Sequence, residues 1–254
     1  MLRFEQDGAV AVITLDRPDA RNAIDGPMAQ AIEAAIDRIE DDDTVMVGIV
    51  THTGNVFCSG ADLKAVRRGE GGIIRTPRGG FAGIEKRVRA KPLIAAVEGK
   101  ALGGGFEIAL ACDLIVASTD AQFALPEVSH SLLPTAGGVT RLTWAIPTRI
   151  ALELILTAAP MDATRAAALG LVSRVVAPGE ALAEARRLAD AIARNAPLAV
   201  RAARRLVLEA TTHNDEARIR VLSDQEWLVI HASEDFQEGP RAFAEKRPPR
   251  WQGR

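Results

Sequence analysis

Tyrosine is absent from this 254-residue chain, and aromatic residues make up only 4% of it. Trp144, Trp227 and Trp251 are scattered and form no basic-aromatic strip of the kind that stacks nucleic-acid bases, so packing in a core or an interface accounts for them. Cysteine is nearly absent too. With Cys58 and Cys112 alone, a disulfide framework is excluded as the basis of the fold, and a reduced, cytoplasmic setting is expected. The four histidines, His52, His130, His213 and His231, stand far apart and pair with no cysteine at ligand spacing, so no metal is expected. Charge of one sign is also lacking. A formal net charge of −2 offers no global attraction to nucleic acid or to an anionic membrane, and any phosphate recognition must be local. No uncharged apolar run approaches a membrane span, and the first eight residues lack the apolar core of a secretory signal.

What the chain does have is apolar content, 48%, enough for one sizeable core or for a core with a small appended domain. Residues 10–15, 45–50, 93–97, 113–117 and 172–176 are short, apolar and β-branched, and are predicted as strands. Between the first two, Ile32, Ala35, Ile36 and Ile39 recur at helical spacing with Glu33, Asp37 and Arg38 opposite, which predicts a helix over 28–40. A second helix is expected to begin near Gly104. Beyond residue 178 the pattern becomes helical only, over 181–195, 197–211, 215–232 and 240–246. The fold class is therefore α/β, with an amino-terminal core over 1–178 and a helical region over 179–254. Residues 64–83, with six glycines and Arg67, Arg68, Arg75 and Arg78, show no period and are expected to form a mobile loop.

Two glutamates twenty residues apart carry the clearest chemistry. Glu107 follows Gly103-Gly104-Gly105-Phe106, where a strand gives way to a helix and free N–H groups gather at a positive dipole end, which favours its anion. Glu127, in Phe123-Ala124-Leu125-Pro126-Glu127-Val128, lies in apolar sequence that raises a carboxyl pKa toward neutrality. One carboxyl is expected ionised and the other protonated. A third segment, Phe57-Cys58-Ser59-Gly60-Ala61-Asp62-Leu63, is small enough for close backbone approach. If the Ser59 and Gly104 amides converge, they form a pair of donors for an oxyanion on a carbonyl. Either glycine-rich turn alone is as well explained by tight strand-to-helix packing. The Gly103-Gly104-Gly105 spacing matches neither the dinucleotide fingerprint nor the P-loop. Cys58 and Ser59 have no nearby histidine to activate them as nucleophiles. Asp62, entering a helix, is expected to act as a cap, and His130 as a structural or surface residue.

Six segments in order resemble the crotonase (enoyl-CoA hydratase/isomerase) superfamily: Leu15-Asp16-Arg17-Pro18-Asp19-Ala20-Arg21-Asn22-Ala23, Phe57-Cys58-Ser59-Gly60-Ala61-Asp62-Leu63, Ala101-Leu102-Gly103-Gly104-Gly105-Phe106-Glu107, Phe123-Ala124-Leu125-Pro126-Glu127, Gly137-Gly138-Val139-Thr140-Arg141-Leu142 and Ala242-Phe243-Ala244-Glu245-Lys246-Arg247. The resemblance implies a ββα spiral core bearing the acyl-CoA site, a helical carboxy-terminal region used in oligomerisation, and assembly as a homo-trimer or homo-hexamer. It implies an acyl-CoA thioester as substrate, with coenzyme A entering as part of that substrate and no separate cofactor. By motif position the amides of Ser59 and Gly104 form the oxyanion hole, and Glu107 and Glu127 are the catalytic carboxylates of hydratases. Ala20, Arg21, Ala23, Ala61, Asp62 and Leu63 line the CoA track. Phe243 and Lys246 approach CoA, in some members from a neighbouring subunit. Within the superfamily, the Glu107 segment and the tail from Ser233 to Arg247 look most like the carnitinyl-CoA dehydratase subfamily. His130-Ser131 departs from the usual Leu-Gly and alters the expected acyl pocket.

The implied reaction is reversible addition of water across the 2,3 double bond of an enoyl-CoA, a hydro-lyase activity. Glu107 is the candidate base toward water and Glu127 the candidate acid toward Cα, although two coupled carboxyls exchange roles across a reversible reaction. The alternatives are a double-bond isomerase with one dominant glutamate, and a non-catalytic acyl-CoA binder, which should lack a complete pair.

Overall fold

The computed structural model describes residues 1–254 apart from Glu70. Its chain begins with a hairpin, β1 (Leu2–Asp7) and β2 (Val10–Leu15), turned at Gly8. Helix α1 (Gly26–Asp41) follows, started by Asp25, whose carboxylate accepts the Met28 N–H at 2.9 Å, and by Pro27 in its first turn. From there the chain repeats one device. A strand of a large sheet leads at once into a strand of a small sheet, and a helix follows. The first copy is β3 (Val47–His52), β4 (Val56–Cys58) and α2 (Leu63–Arg67). A two-stranded hairpin, β5 (Arg75–Thr76) and β6 (Gly80–Phe81), comes before the second copy, β7 (Leu93–Val97), β8 (Lys100–Leu102) and α3 (Gly104–Ala111). The third is β9 (Leu114–Ser118), β10 (Gln122–Ala124), a 3-10 turn over Pro126–His130, and helices α4 (Gly138–Ala145) and α5 (Thr148–Thr157). Strand β11 (Met161–Asp162), helix α6 (Ala163–Ala168) and strand β12 (Arg174–Val176) close the core.

The large sheet runs β1-β2-β3-β7-β9-β12, parallel from β2 onward, and the small one β11-β10-β8-β4. This is the expected ββα spiral. Strand alternation splits the interior into two cores. Ala11, Ile13 and Leu15 of β2 face the larger one with Phe57, Phe106 and Phe123, while Val10 and Val12 face the smaller one.

The helical region comprises α7 (Ala181–Ala193), α8 (Pro197–His213), α9 (Glu216–His231) and α10 (Glu234–Ala244). Its first helix is part of the core. Ala181, Ala185 and Ala189, spaced four apart, lay a stripe of small residues against Val47, Ile49, Ile94 and Val116 of the large sheet, so the layer boundary falls after α7 and not at residue 178. Helix α8 is tied on by Arg204, which reaches Asp113 at 2.9 Å and the Arg89 carbonyl at 2.5 Å.

Two local expectations are corrected. Residues 64–83 are not a featureless loop, because α2 and the β5–β6 hairpin occupy most of them. The hairpin is pinned to α1 by Glu33, whose Oε2 accepts from Thr76 Oγ1 at 2.5 Å and from the Gly79 N–H at 2.7 Å. The last helix starts six residues earlier than the Pro240 boundary and contains that proline. The Ser233 cap on Phe236 and the Asp235 carboxylate, which accepts the Gln252 and Gly253 amides, hold this helix and the tail together across the missing N–H.

Candidate active site

A cavity of about 350 Å³ opens between the small sheet, the β5–β6 hairpin and the loop before α4. Ser59, Ala61, Leu63, Gly104, Glu107 and Glu127 all lie on its wall. The fold thus gathers residues that the chain spreads over almost seventy positions.

Glu107 stands one turn inside α3 and is 5% exposed. Its Oε1 accepts the Ala136 N–H at 2.7 Å and the Gly138 N–H at 2.9 Å. These donors come from the loop before α4, and Gly138 has to be glycine, since a Cβ there would stand 2.9 Å from that same oxygen and 2.7 Å from Pro134. Arg141 fixes the loop in turn, its Nη2 donating to the Glu85 carbonyl at 2.6 Å and its Nη1 to the Ala136 carbonyl at 3.3 Å. Sequence reasoning gave none of these loop residues a role. Their signal was the Gly137-Gly138-Val139-Thr140-Arg141 run, which carried the resemblance but no chemistry.

Burial pushes the Glu107 carboxyl up to about 7, helped by the charge of Glu127 and opposed by the two amide hydrogen bonds. The expectation that a helix amino terminus keeps Glu107 ionised is therefore corrected, because desolvation outweighs the local donors. Burial raises the Glu127 pKa as well. Glu127 sits in the 3-10 turn with Oε1 against Gly103, where a Cβ would come within 3.1 Å, and Gly103 also has φ +53°. Its Oε2 is buried and has no hydrogen-bond partner among the described residues. A carboxyl oxygen left so in a cavity wall costs stability and stays free for an incoming group.

A stability profile follows from Glu107. A carboxyl whose folded pKa lies above its unfolded value adds stability below about pH 4.5, and that contribution is lost as pH rises toward about 7. Glu107→Gln is expected to raise Tm relative to wild type at pH 8, by an equivalent of up to about 3 kcal/mol. The gain should vanish near pH 4.5. Melting curves at the two pH values check this, and an equal difference at both would deny the linkage.

The amide pair differs from expectation. The Ser59 N–H is bonded to the Arg21 carbonyl at 3.1 Å, so it does not face the cavity as a free donor. The Gly60 N–H is directed at Cys58 Sγ at 3.3 Å, and the Asp62 N–H at the Ile24 carbonyl at 2.9 Å. Ile24 and Ala61 form a parallel bridge through Gly60 O and Asp62 N, which turns the Ala61 N–H to the opposite side. Among the described residues neither the Ala61 amide nor the Gly104 amide, first in α3, has an acceptor. The two backbones touch: a Cβ on Gly60, whose φ is +89°, would lie 2.9 Å from the Gly104 nitrogen. Ser59→Ala is accordingly expected to keep wild-type turnover, and a dead but folded Ser59→Ala protein would assign the hydroxyl a role.

Of the remaining sites, Asp62 is the helix cap expected of it, accepting the Lys64 and Ala65 amides at 3.0 and 3.2 Å and pairing with Arg17 at 2.9 Å. The loop carrying Ala20, Arg21 and Ala23 is ordered by Asn22, which accepts from the Arg17 N–H and donates to the carbonyls of Thr53 and Val56. Ala23 is buried, and Arg21 lines a second, smaller cleft with Asn55, Val56, Lys100 and Leu102. Phe243 and Lys246 line neither cleft, and Phe243 is 88% exposed.

Two desolvated carboxyls and a pair of unengaged backbone amides on the wall of one cavity, on a ββα spiral, make a candidate acid/base site. A sequence model of the enoyl-CoA hydratase/isomerase family matches residues 5–254, and the chain belongs to that family. Carnitinyl-CoA dehydratase of Proteus mirabilis is 42% identical over 259 residues, covering 100% of this chain and 98% of the relative. The crystal structure of enoyl-CoA hydratase from Mycobacterium tuberculosis H37Rv superposes with a TM-score of 0.95 at 42% identity, covering 100% of this chain and 99% of that one. That of carnitinyl-CoA hydratase from Mycobacterium avium gives 0.80 at 44% identity, with 100% and 98% covered.

Proposed function

We propose that this protein is an acyl-CoA hydratase/dehydratase that adds water reversibly across the 2,3 double bond of an enoyl-CoA thioester. The observation that carries the reading is a pair of carboxyls with raised pKa values, Glu107 buried and Glu127 half-buried, on the cavity that also holds the Ala61 and Gly104 amides. The thioester oxygen is received by those two amides, which stabilise the enolate charge that develops when Cβ is attacked. Water oxygen bonds to Cβ and its proton passes to Glu107. Glu127 in its acid form delivers a proton to Cα, so that OH and H have been added and the C=C π pair has become the Cα–H bond. Glu107 is then protonated and Glu127 ionised, and proton exchange resets the pair. A carboxyl poised near 7 suits a reversible reaction, since it both takes and returns a proton near neutrality. The two groups titrate as a pair, and the division of roles belongs to the pair.

The test is incubation of the purified protein with crotonyl-CoA and 2-hexenoyl-CoA, read by loss of the conjugated-thioester absorbance. No loss with either would sink the reading. Conversion of a 3-enoyl-CoA to a 2-enoyl-CoA without hydration would replace it by isomerisation. Coenzyme A enters as part of the substrate, and this reaction calls on no separate cofactor. Among the described residues no helix is long and apolar enough to cross a membrane, and both cysteines are buried free thiols, which fits a cytoplasmic setting.

Assembly as a homo-trimer or homo-hexamer is part of the proposal. Its support is the apolar surface left open on α4 and α5 (Trp144, Leu152, Leu156) and on the last helices (Val207, Trp227, Leu228, Phe243). In such a particle Phe243 and Lys246 reach the CoA of a neighbouring site. Lys246→Ala is then expected to raise the apparent KM for acyl-CoA severalfold with little change in kcat, and the difference should shrink at high salt. A fully active monomer on sedimentation would remove the cross-subunit role.

A further inference from the structure

Most of the cavity wall away from the carboxyls is apolar, with Val66, Ile74, Phe81, Leu132 and Leu133, but Arg75 of β5 stands among them. Its Nη1 lies 3.3 Å from Glu85 Oε2, and its Nη2 donates to Thr135 Oγ1 at 3.2 Å. The two partners of this ion pair are not equally available. Glu85 is turned inward, its side chain 11% exposed and its Oε2 also accepting the Phe81 N–H at 3.1 Å, whereas the Arg75 side chain is 43% exposed. What the pair presents to the cavity is therefore the guanidinium, which has five N–H donors and, among the described residues, spends two of them on Glu85 and Thr135. Thr135 directly precedes Ala136, whose N–H holds Glu107, so the cation is built into the wall on the Glu107 side of the site. It is also held in place, because the hairpin that carries it is pinned to α1 by Glu33.

We propose that Arg75 sets the acyl-tail preference of this site, selecting acyl groups that end in a carboxylate over plain alkyl ends and discriminating against cationic ends. The proposal rests on the acyl-CoA reading above and narrows its substrate class. A carboxylate meets the guanidinium in a charge-assisted, bidentate hydrogen bond. A quaternary ammonium end needs aromatic faces or an uncommitted carboxylate. The cavity offers it one phenyl ring, Phe81, and two carboxyls, Glu107 and Glu127, whose negative charge burial disfavours.

The experiment measures binding without turnover, using saturated acyl-CoAs: hexanoyl-CoA, adipoyl-CoA and 4-(trimethylammonio)butanoyl-CoA, by calorimetry on wild type, Arg75→Met and Arg75→Lys. Wild type is expected to bind adipoyl-CoA about tenfold or more tightly than hexanoyl-CoA, with the cationic acyl group weakest. Arg75→Met should level the three affinities, and Arg75→Lys should restore part of the carboxylate preference. The ratios are read within one preparation, so a uniform loss of folded protein cancels. Hexanoyl-CoA binding wild type as well as adipoyl-CoA would overturn the proposal, whatever the variants do. So would an equal loss for all three ligands in Arg75→Met, which would place Arg75 on the CoA moiety they share. Because no hydration is needed, a protein that failed to hydrate 2-hexenoyl-CoA would refute the proposed reaction and leave this result standing.

Discussion

Glu107→Gln and Glu127→Gln are each expected to lower hydration of crotonyl-CoA by about 10²–10⁴-fold while leaving acyl-CoA binding largely intact. The amide keeps the shape of the carboxyl, and a glutamine at 107 can still accept the Ala136 and Gly138 N–H groups through its oxygen. What it cannot do is take up and release a proton near neutrality. The loss should therefore fall on kcat. The double variant should be little worse than the poorer single one, because two groups that act on one addition do not contribute independently. Stopped-flow turnover with binding measured in parallel checks this. Near-wild-type kcat in either single variant would remove that residue from the reaction.

The second large effect concerns the amide pair. Ala61→Pro removes the one N–H of the 59–62 segment that is not engaged among the described residues, yet spares the bridge to Ile24, which uses only Gly60 O and Asp62 N. Gly104→Ala keeps its N–H, but its Cβ would stand 2.4 Å from the Phe81 ring and 3.3 Å from the Gly60 Cα, so the two backbones must part. Each change is expected to cost about 10²–10³-fold in kcat, the usual loss for one oxyanion donor. A reduced analogue lacking the thioester carbonyl should bind both variants as it binds wild type. If Ala61→Pro folds, as judged by its melting curve, and turns over normally, the donor pair is elsewhere.

Much of this site could be read in advance, and the reasons differ by residue. Glu107 and Glu127 were legible because carboxyls embedded in apolar and glycine-rich sequence are rare enough to demand an explanation. The strands followed from short, apolar, β-branched runs, which suit strands buried on both faces, and helix α1 from an apolar period of 3.6, which buries one face. The cap at Asp62 followed from its place before a helix. The ionisation of Glu107 did not follow, because its local signal, a helix start, favours the anion, while burial in the assembled core favours the acid and outweighs even the Ala136 and Gly138 amides brought by the loop before α4. A free amide was expected at Ser59 and is not found there, for a related reason. A motif says that an amide is available nearby, but whether a given N–H is free depends on what lies across from it, here the Arg21 carbonyl.

By itself, then, the order of residues determined the element types, the α/β class with its helical end and the identity of the two carboxyls, since propensity, period and composition are local properties. Tertiary structure alone decided which amides remain free, how far burial lifts Glu107, that α7 closes the core, and that Arg75 lines the cavity beside Thr135, sixty positions away. Desolvation and hydrogen-bond competition depend on distance in space, and the chain order of Arg75, Glu107 and Thr135 carries no measure of it.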